Sequence, residues 1–420
     1  MQLNKLTLDI SWNYLSFFVL AISGIIINFI IAFFFSSEGL GIFNQTYAFF
    51  VIFSQFSVFG IHYSVLKLSA EAEEGSQLSR DVLLSGIFSV LLLSIIFSSI
   101  LYSLSGLISE ILDSAAMSKT LKIVSPALIF FSLNKVLLSF VNGQEKLKLF
   151  AIGNILRYVF MLASLLLLIY LKRAVSDIAY IFLIAEILLT VYCIGITIKS
   201  IKLSKINLII VKSINHIKFG ARALLSGLSV ELNSRADVVI LGIFTSDSIV
   251  GVYSFFALVA EGLYNIFVVI KNIFNPKITK HIKQKDLIAL KTLIKKIQKI
   301  VYPSSFAIAS IISIGMYVIV SFIPDSYLYY ENFAVLIILV SSIVLISGVI
   351  PFEIILTLAG RPGLQSIQTF ITLAFNVILN FILIPYFGAL GAAIATASSY
   401  VIGAILLNQF SLRSIKVKIL

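Results

Sequence analysis

The sequence predicts an all-α integral membrane protein with twelve transmembrane helices. Of its 420 residues, 60% are hydrophobic and only 12% are charged, and its mean hydropathy is +1.08. Soluble domains of this size do not have such a composition. The apolar stretches are continuous and about twice as long as the roughly ten-residue alternating segments of a membrane β-barrel, so we expect membrane-crossing helices and no barrel.

Twelve apolar stretches are bounded by charged or turn residues, and each is long enough for the roughly 20 residues that a membrane-crossing helix needs. The first stretch is too long for the apolar part of a signal peptide, so we expect it to remain in the protein. The predicted spans are 12–35, 44–66, 82–105, 123–142, 149–171, 177–198, 219–244, 249–270, 300–323, 333–358, 364–384 and 388–410.

The basic residues predict the orientation of these spans. The two termini and the even-numbered loops contain 24 Lys and Arg residues, counting Arg222 at the inner edge of the seventh span, whereas the odd-numbered loops contain 4. Because cytoplasmic loops carry the excess of Lys and Arg, we expect both termini in the cytoplasm. The net charge of +12 follows this topological rule, so it does not indicate a nucleic-acid partner.

Nine lysines lie in the segment 271–299. Apolar residues recur there at three- and four-residue steps, a pattern typical of a helix that lies on the anionic lipids of the inner leaflet. Alternatively, these lysines only keep the loop on the cytoplasmic side and have no further role.

A short pattern occurs twice, which predicts two similar halves. Ser36, Gly41, Ile42 and Phe43 correspond, at an offset of 210 residues, to Ser246, Gly251, Val252 and Tyr253. Six spans per half place both halves the same way up in the membrane. We therefore expect two six-helix lobes, residues 1–205 and 206–420, as parallel repeats around a central cavity.

The predicted seventh span carries four charges, at Arg222, Glu231, Arg235 and Asp237. A charge near the middle of a membrane helix costs about 2.5 kcal/mol or more, so these side chains need partners or water. Helical spacing places Arg222, Asn233 and Asp237 on one face, and Glu231 and Arg235 at i,i+4 on roughly the opposite face. We expect this helix to line the cavity on one side and to hold an internal ion pair on the other.

Arg157 lies near the middle of the fifth predicted span, beside Asn154 and Tyr158. The guanidinium fork suits phosphate and carboxylate groups, so Arg157 either contacts substrate or pairs with a structural partner such as Glu186. Lys135, nearer the end of the fourth span, either reaches the headgroups along its flexible stem or faces the cavity.

The charged and amide side chains within the spans are the candidate site. The candidate substrate-binding residues are Arg157, Arg235, Arg222, Lys135, Asn154 and Asn233. The candidates for ion coupling or internal pairing are Glu186, Glu231, Asp237 and Glu261.

Several enzyme classes have no support in the sequence. It contains no G-x-x-x-x-G-K-[ST] or H-E-x-x-H motif, its three histidines are scattered, and Cys193 is its only cysteine. No predicted external loop is long enough for a catalytic domain. We expect no catalytic residues, no metal and no cofactor.

Two segments carry a family resemblance. The segment FNVILNFILIPYFGALGAAIATASSYVIGAIL, from Phe375 to Leu406, resembles the last two spans of the polysaccharide flippases. Ser234 to Asp237, followed by Leu241-Gly242 and Gly251-Val252-Tyr253, resembles their seventh span and the entry to the eighth. The chain is similar to the O-antigen (Wzx-type) branch of the multidrug/oligosaccharidyl-lipid/polysaccharide exporter superfamily.

The resemblance implies a V-shaped, MATE-like fold that works by alternating access in the bacterial inner membrane. It implies a flippase that moves an undecaprenyl-pyrophosphate-linked oligosaccharide from the inner to the outer leaflet. Coupling to protons or sodium, contact with membrane lipids and a partnership with the polysaccharide polymerase machinery are further expectations. Two alternatives stay open at this point: a cation or drug antiporter of the same superfamily, and a membrane polysaccharide polymerase or ligase.

Overall fold

The structure is a computed structural model that describes residues 2–198 and 206–420. These residues fold into helices joined by short connections, with 3-10 turns at Val175–Asp177 and Ile350–Phe352. The α-helices are α1 (Gln2–Val58), α2 (Ile61–Glu71), α3 (Gln77–Ile111), α4 (Ala115–Val124), α5 (Ala127–Gly143), α6 (Leu147–Tyr170), α7 (Tyr180–Thr197), α8 (Ile206–Phe244), α9 (Asp247–Lys283), α10 (Leu287–Val320), α11 (Ser326–Glu331), α12 (Phe333–Ile346), α13 (Ile355–Leu358) and α14 (Pro362–Ile415).

The helical, multi-span class is confirmed. Within the described residues, seven helices are long and apolar enough to cross a membrane, or nine if each of two bent helix pairs is one span. α8 is not among them, although the predicted span 219–244 lies within it, and this span carries four charged residues. The exact number of twelve spans and their arrangement in two lobes remain predictions.

The breaks between helices differ from the expected loops. α1 and α14 each run through a predicted loop, with one non-helical residue at the break: Ser36 in α1 (φ 64°) and Gly388 in α14 (φ 53°). Phe59 and Gly60, both with positive φ, interrupt the predicted span 44–66. The predicted spans 123–142 and 333–358 are bent pairs, with angles of 42° and 54°.

The basic segment 271–299 does not form a helix of its own but is divided between two longer helices, and its contact with the inner leaflet stays a prediction. α9 continues to Lys283, and α10 begins at Leu287 and runs without interruption to Val320. The apolar side chains of Leu290, Ile294 and Ile297 are buried within the protein. The apolar side of this segment therefore packs against neighbouring protein segments, and its lysines are exposed except Lys271, which is partly buried.

The chain forms two compact units. Unit 1 comprises Met1–Phe35 and Ile42–Arg235, and unit 2 comprises Ser36–Gly41 and Ala236–Leu420. The predicted lobe boundary between residues 205 and 206 lies at the edge of residues 199–205, which are outside the described part of the chain. The predicted lobes therefore stay a prediction.

Unit 1 is held together by apolar packing and by a polar attachment of α8. Val65, Leu83, Val136 and Leu189 belong to one buried cluster formed by α2, α3, α5 and α7. Lys212 of α8 pairs with Asp81 of α3 at 2.8 Å.

His216, one turn further along α8, joins two other helices of unit 1. Its ring nitrogens lie 2.8 Å from the Ser64 hydroxyl of α2 and 3.0 Å from the Ser85 hydroxyl of α3. Burial away from water lowers the pKa of His216 to about 4. The neutral imidazole is therefore the form that the folded protein favours.

In unit 2, a close backbone contact joins residues 36–41 to α9. A Cβ atom on Gly41 would overlap the backbone carbonyl of Asp247, and one on Gly251 would overlap that of Ser37. Only glycine permits this approach. These two glycines are the ones that correspond in the repeated pattern.

We expect Gly41→Ala to lower the free energy of unfolding by about 1 to 3 kcal/mol, because the added methyl group forces two backbones apart. Gly106→Ala is the matched control, since a Cβ there meets nothing within 4 Å. Thermal unfolding of the detergent-solubilised protein measures both. Equal stability of the two variants would contradict the close contact.

We expect the stability of the protein to fall as the pH drops from about 6.5 to about 4, by up to about 3 kcal/mol from His216 alone. Over this range the imidazole takes up a proton in the unfolded chain but not in the folded one; above pH 6.5 this contribution is constant. Unfolding at a series of pH values measures the slope. The His216→Asn variant should lose the part of this pH dependence that comes from His216. An unchanged slope in that variant would exclude His216 as the cause.

Candidate functional site

Arg157 of α6 and Glu186 of α7 form an ion pair inside unit 1. Nε of Arg157 lies 2.7 Å from Oε1 of Glu186, and the two side chains are only 17% and 4% exposed. The contact is that of two opposite charges rather than of a well-directed hydrogen bond. Nη2 of Arg157 is buried and has no hydrogen-bond partner among the described residues. Glu186 thus neutralises the guanidinium on its Nε side, while Nη2 lacks a hydrogen-bond acceptor among the described residues.

Asn134 of α5 fixes the carboxylate of this pair. Its Nδ2 donates to Oε2 of Glu186 at 2.9 Å and to the backbone carbonyl of Glu186 at 2.8 Å. Asn134 is fully buried. Glu186 therefore has a donor on one oxygen and a cation on the other, which is what a buried carboxylate requires.

Phe131, one turn before Lys135 on α5, lies under two cations. Cζ of Arg157 is 4.9 Å from the ring centroid, and Nζ of Lys135 is 5.6 Å from it. The negative face of an aromatic ring attracts a cation, by about 0.5 to 2 kcal/mol depending on desolvation. Phe131 and Phe50 of α1 pack edge to face, with their ring centroids 5.2 Å apart.

A row of aromatic rings continues from Phe50 to a second arginine. Phe50 contacts Phe182 of α7 at 5.4 Å, and Phe182 stacks on Tyr47 of α1 at 5.6 Å. Cζ of Arg235, from α8, lies 4.9 Å from the Tyr47 ring centroid. The row thus has one arginine at each end.

Electrostatic interactions connect these groups into one cluster. The charges of Glu231 and Arg157 are close enough to act on Lys135, and Tyr158 lies within electrostatic range of Arg157, Glu186 and Arg235. The cluster holds three cations, Lys135, Arg157 and Arg235, and two carboxylates, Glu186 and Glu231. One positive charge is therefore in excess.

The structure brings together five of the ten predicted site residues: Lys135, Arg157, Glu186, Glu231 and Arg235. Arg222 and Asn233 are exposed on α8, and Asn154 is half-buried on α6. Arg235 and Glu231 both have interaction partners, and their predicted mutual ion pair stays a prediction. The functional role of each of these residues also stays a prediction.

Two predicted acidic residues lie in unit 2. Asp237 accepts a hydrogen bond from the Tyr253 hydroxyl, which lies 3.4 Å from the Thr396 hydroxyl. Glu261 is exposed on α9. Among the residues that the structure describes, no group of three His, Cys, Asp or Glu side chains could hold a metal ion.

A second polar cluster of unit 2 was not among the predicted site residues. Glu353 lies at the bend that follows α12, and it accepts hydrogen bonds from Tyr264 at 2.5 Å and from Lys271. Tyr264 stacks on Tyr400 of α14 at 6.0 Å. Glu353 lies inside the predicted span 333–358. A charged residue in a membrane span is the sequence signal that could have identified this cluster.

The sequence prediction also missed Phe131, Asn134 and Tyr47. Phe131 and Asn134 precede Lys135 by four and one residues, so Phe131 shares its helix face and Asn134 lies beside it. Aromatic and amide residues are common in membrane helices, and nothing in their spacing distinguished these three.

Comparisons with known proteins identify relatives of the whole fold. Residues 6–282 match a family described as polysaccharide biosynthesis protein. The lipid II flippase MurJ, in an inward closed conformation, is 18% identical with a TM-score of 0.78, over 97% of this chain and 88% of that chain. An inward-facing multidrug resistance MATE family transporter of the MOP superfamily is 13% identical with a TM-score of 0.74, over 94% of both chains.

A third solved structure, that of the MATE multidrug transporter DinF-BH, is 17% identical with a TM-score of 0.61, over 97% of this chain and 94% of that chain. At these identities the solved structures show a shared fold, and the predicted MATE-like fold is confirmed. The chain has no significant match among curated protein sequences.

We expect Arg157→Gln and Glu186→Gln each to lower the free energy of unfolding by about 3 to 5 kcal/mol, because each leaves one buried charge uncompensated. The double variant should lose less than the two single losses combined, by about 1 to 3 kcal/mol. Denaturant unfolding in detergent measures the free energies of unfolding of the wild type, the two single variants and the double variant.

The matched control is the ion pair of Lys119 and Asp177, at 2.6 Å with Lys119 54% exposed. Lys119→Gln and Asp177→Asn should show a coupling of about 0 to 1 kcal/mol. If the two cycles gave the same coupling, the buried pair would have no special energetic role.

Proposed function

The chain belongs to the polysaccharide biosynthesis protein family, and on that premise we propose that it is a flippase for a lipid-linked oligosaccharide. It moves an undecaprenyl-pyrophosphate-linked oligosaccharide, such as an O-antigen repeat unit, from the inner to the outer leaflet by alternating access. The proteins of this fold named above are a flippase and transporters.

The observation that supports this proposal most is the partly compensated Arg157. A pyrophosphate cannot cross hydrocarbon unaided, because its charge would lose its hydration. A buried guanidinium whose Nη2 has no hydrogen-bond partner in the part of the chain that the structure describes offers a fixed donor to such a group. The excess of one positive charge in the cluster of unit 1 favours an anionic ligand.

Each charged residue of the cluster then has a role in the proposal. Arg157 and Lys135 bind the pyrophosphate, and Arg235 adds positive charge further along the aromatic row. Glu186 holds Arg157 until the ligand competes for the guanidinium. Arg222, Asn154 and Asn233 contact the polar substrate at other stages of its passage.

The same proposal assigns the membrane and the direction. Both termini lie in the cytoplasm, as the distribution of Lys and Arg predicts, and the membrane is the bacterial inner membrane. In this proposal the pyrophosphate enters from the cytoplasmic side while the prenyl chain stays in lipid. The polymerase machinery receives the translocated unit.

Carboxylates couple this movement to an ion in the proposal. Glu186 and Glu231, close to the three cations, and Asp237 and Glu261, in unit 2, are the candidates for taking up a proton or sodium ion. When a phosphate displaces Glu186 from Arg157, the buried carboxylate loses its counter-charge, and an ion that binds there then replaces the guanidinium.

A cation or drug antiporter is the second candidate function. The buried carboxylate of Asp237 and the MATE transporters of the same fold favour it. The cluster of unit 1 opposes it, since Glu186 is already paired with Arg157. Drug resistance on overexpression, without any effect on polysaccharide export, would decide for the antiporter.

We expect Arg157→Lys to reduce export at least tenfold while the protein still accumulates. The charge remains to pair with Glu186, but the planar fork that binds phosphate is lost. The measurement is the appearance of lipid-linked oligosaccharide on the outer face, detected with a membrane-impermeant reagent in cells that depend on this chain.

The matched control is Arg173→Lys, the same change at an exposed position after α6, which should export normally. Full export by the Arg157→Lys variant would remove Arg157 from the binding site. If cells without the chain still displayed the lipid-linked oligosaccharide on the outer face, the flippase proposal itself would fail.

A further inference from the structure

We propose that Phe131 is a positioning residue that holds Arg157 and Lys135 as a clamp for the two phosphates of a diphosphate, an inference that rests on the proposed function. The clamp selects a diphosphate over a monophosphate. Phe131 itself makes no contact with the phosphates and acts through the two cations.

The geometry of the ring brings two like charges together. Arg157 Cζ and Lys135 Nζ lie 4.9 Å and 5.6 Å from the same centroid, so their separation cannot exceed these two distances combined. Like charges at this range repel each other. The ring face and the carboxylates of Glu186 and Glu231 offset that repulsion.

One turn of α5 controls both cations. Phe131 and Lys135 are four residues apart and share a helix face, so the lysine stem folds back over the ring. Asn134 orients Glu186, and Glu186 holds Arg157. The contact of Phe131 with Phe50 fixes the ring, which sets where both charges lie.

The ligand that matches two adjacent cations carries two adjacent anions. A monophosphate satisfies Arg157 and leaves Lys135 without a phosphate, whereas a diphosphate neutralises both. Without the ring, the flexible stem of Lys135 is free to move its charge toward water. Loss of Phe131 should therefore weaken diphosphate binding more than monophosphate binding.

The test measures binding of inorganic pyrophosphate and inorganic phosphate to the purified full chain in detergent by calorimetry. The wild-type protein should prefer pyrophosphate at least tenfold. Phe131→Leu should reduce that preference about tenfold, since it removes two cation–π contacts and keeps most of the volume. Phe131→Tyr should restore the preference to within about twofold.

Phe97→Leu is the matched control, because Phe97 stacks on Phe56 at 5.5 Å within the same unit. It should retain the wild-type preference. If Phe131→Leu does not fold, Lys135→Gln decides instead, with the same expected loss of preference.

Two results would overturn the inference: a wild-type protein without preference for pyrophosphate, or a Phe131→Leu or Lys135→Gln variant that keeps the full preference. Failure of the flippase proposal is a separate result. It would show in the export assay, even for a protein whose preference for pyrophosphate depends on Phe131.

Discussion

The burial of the Arg157 charge is the constraint on which the rest of unit 1 depends. A guanidinium in an apolar helix bundle has lost most of its water, and the protein compensates it with two contacts of different kinds. Glu186 supplies the opposite charge, and Phe131 supplies the negative face of a ring. Among the described residues no acceptor meets Nη2, and a buried polar group in this state calls for an explanation.

The compensating groups come from helices that are distant in sequence. Phe131 and Asn134 belong to α5, Glu186 to α7 and Tyr47 to α1, so the cluster requires the complete packing of unit 1. The apolar core under α2, α3, α5 and α7 provides that packing. The close packing of this core holds the helices that place the carboxylate and the ring beside the arginine.

Features that depend on local sequence could be predicted from the residues, whereas contacts that depend on packing could not. Continuous apolar stretches and the energetic cost of membrane charges are local properties. The helical class, and the need of Arg157, Lys135, Glu186, Glu231 and Arg235 for interaction partners, could therefore be inferred from the residues alone. The partners could not, because Phe131 and Asn134 are ordinary residues until packing places them beside a charge. Ser36 and Gly388 also escaped prediction, since a single backbone conformation replaced each expected loop.

The segment Ser36–Gly41 has a consequence for biogenesis. It belongs to unit 2, yet it is made within the first helix, and its contacts with Asp247 and Gly251 require residues that the ribosome adds roughly half a chain later. At about 5 to 20 residues per second, these six residues wait about 10 to 40 s for their partners. During that interval Gly41 lacks its backbone contact with Asp247. Unit 2 is complete only when its later residues pack against this segment, which was synthesised first.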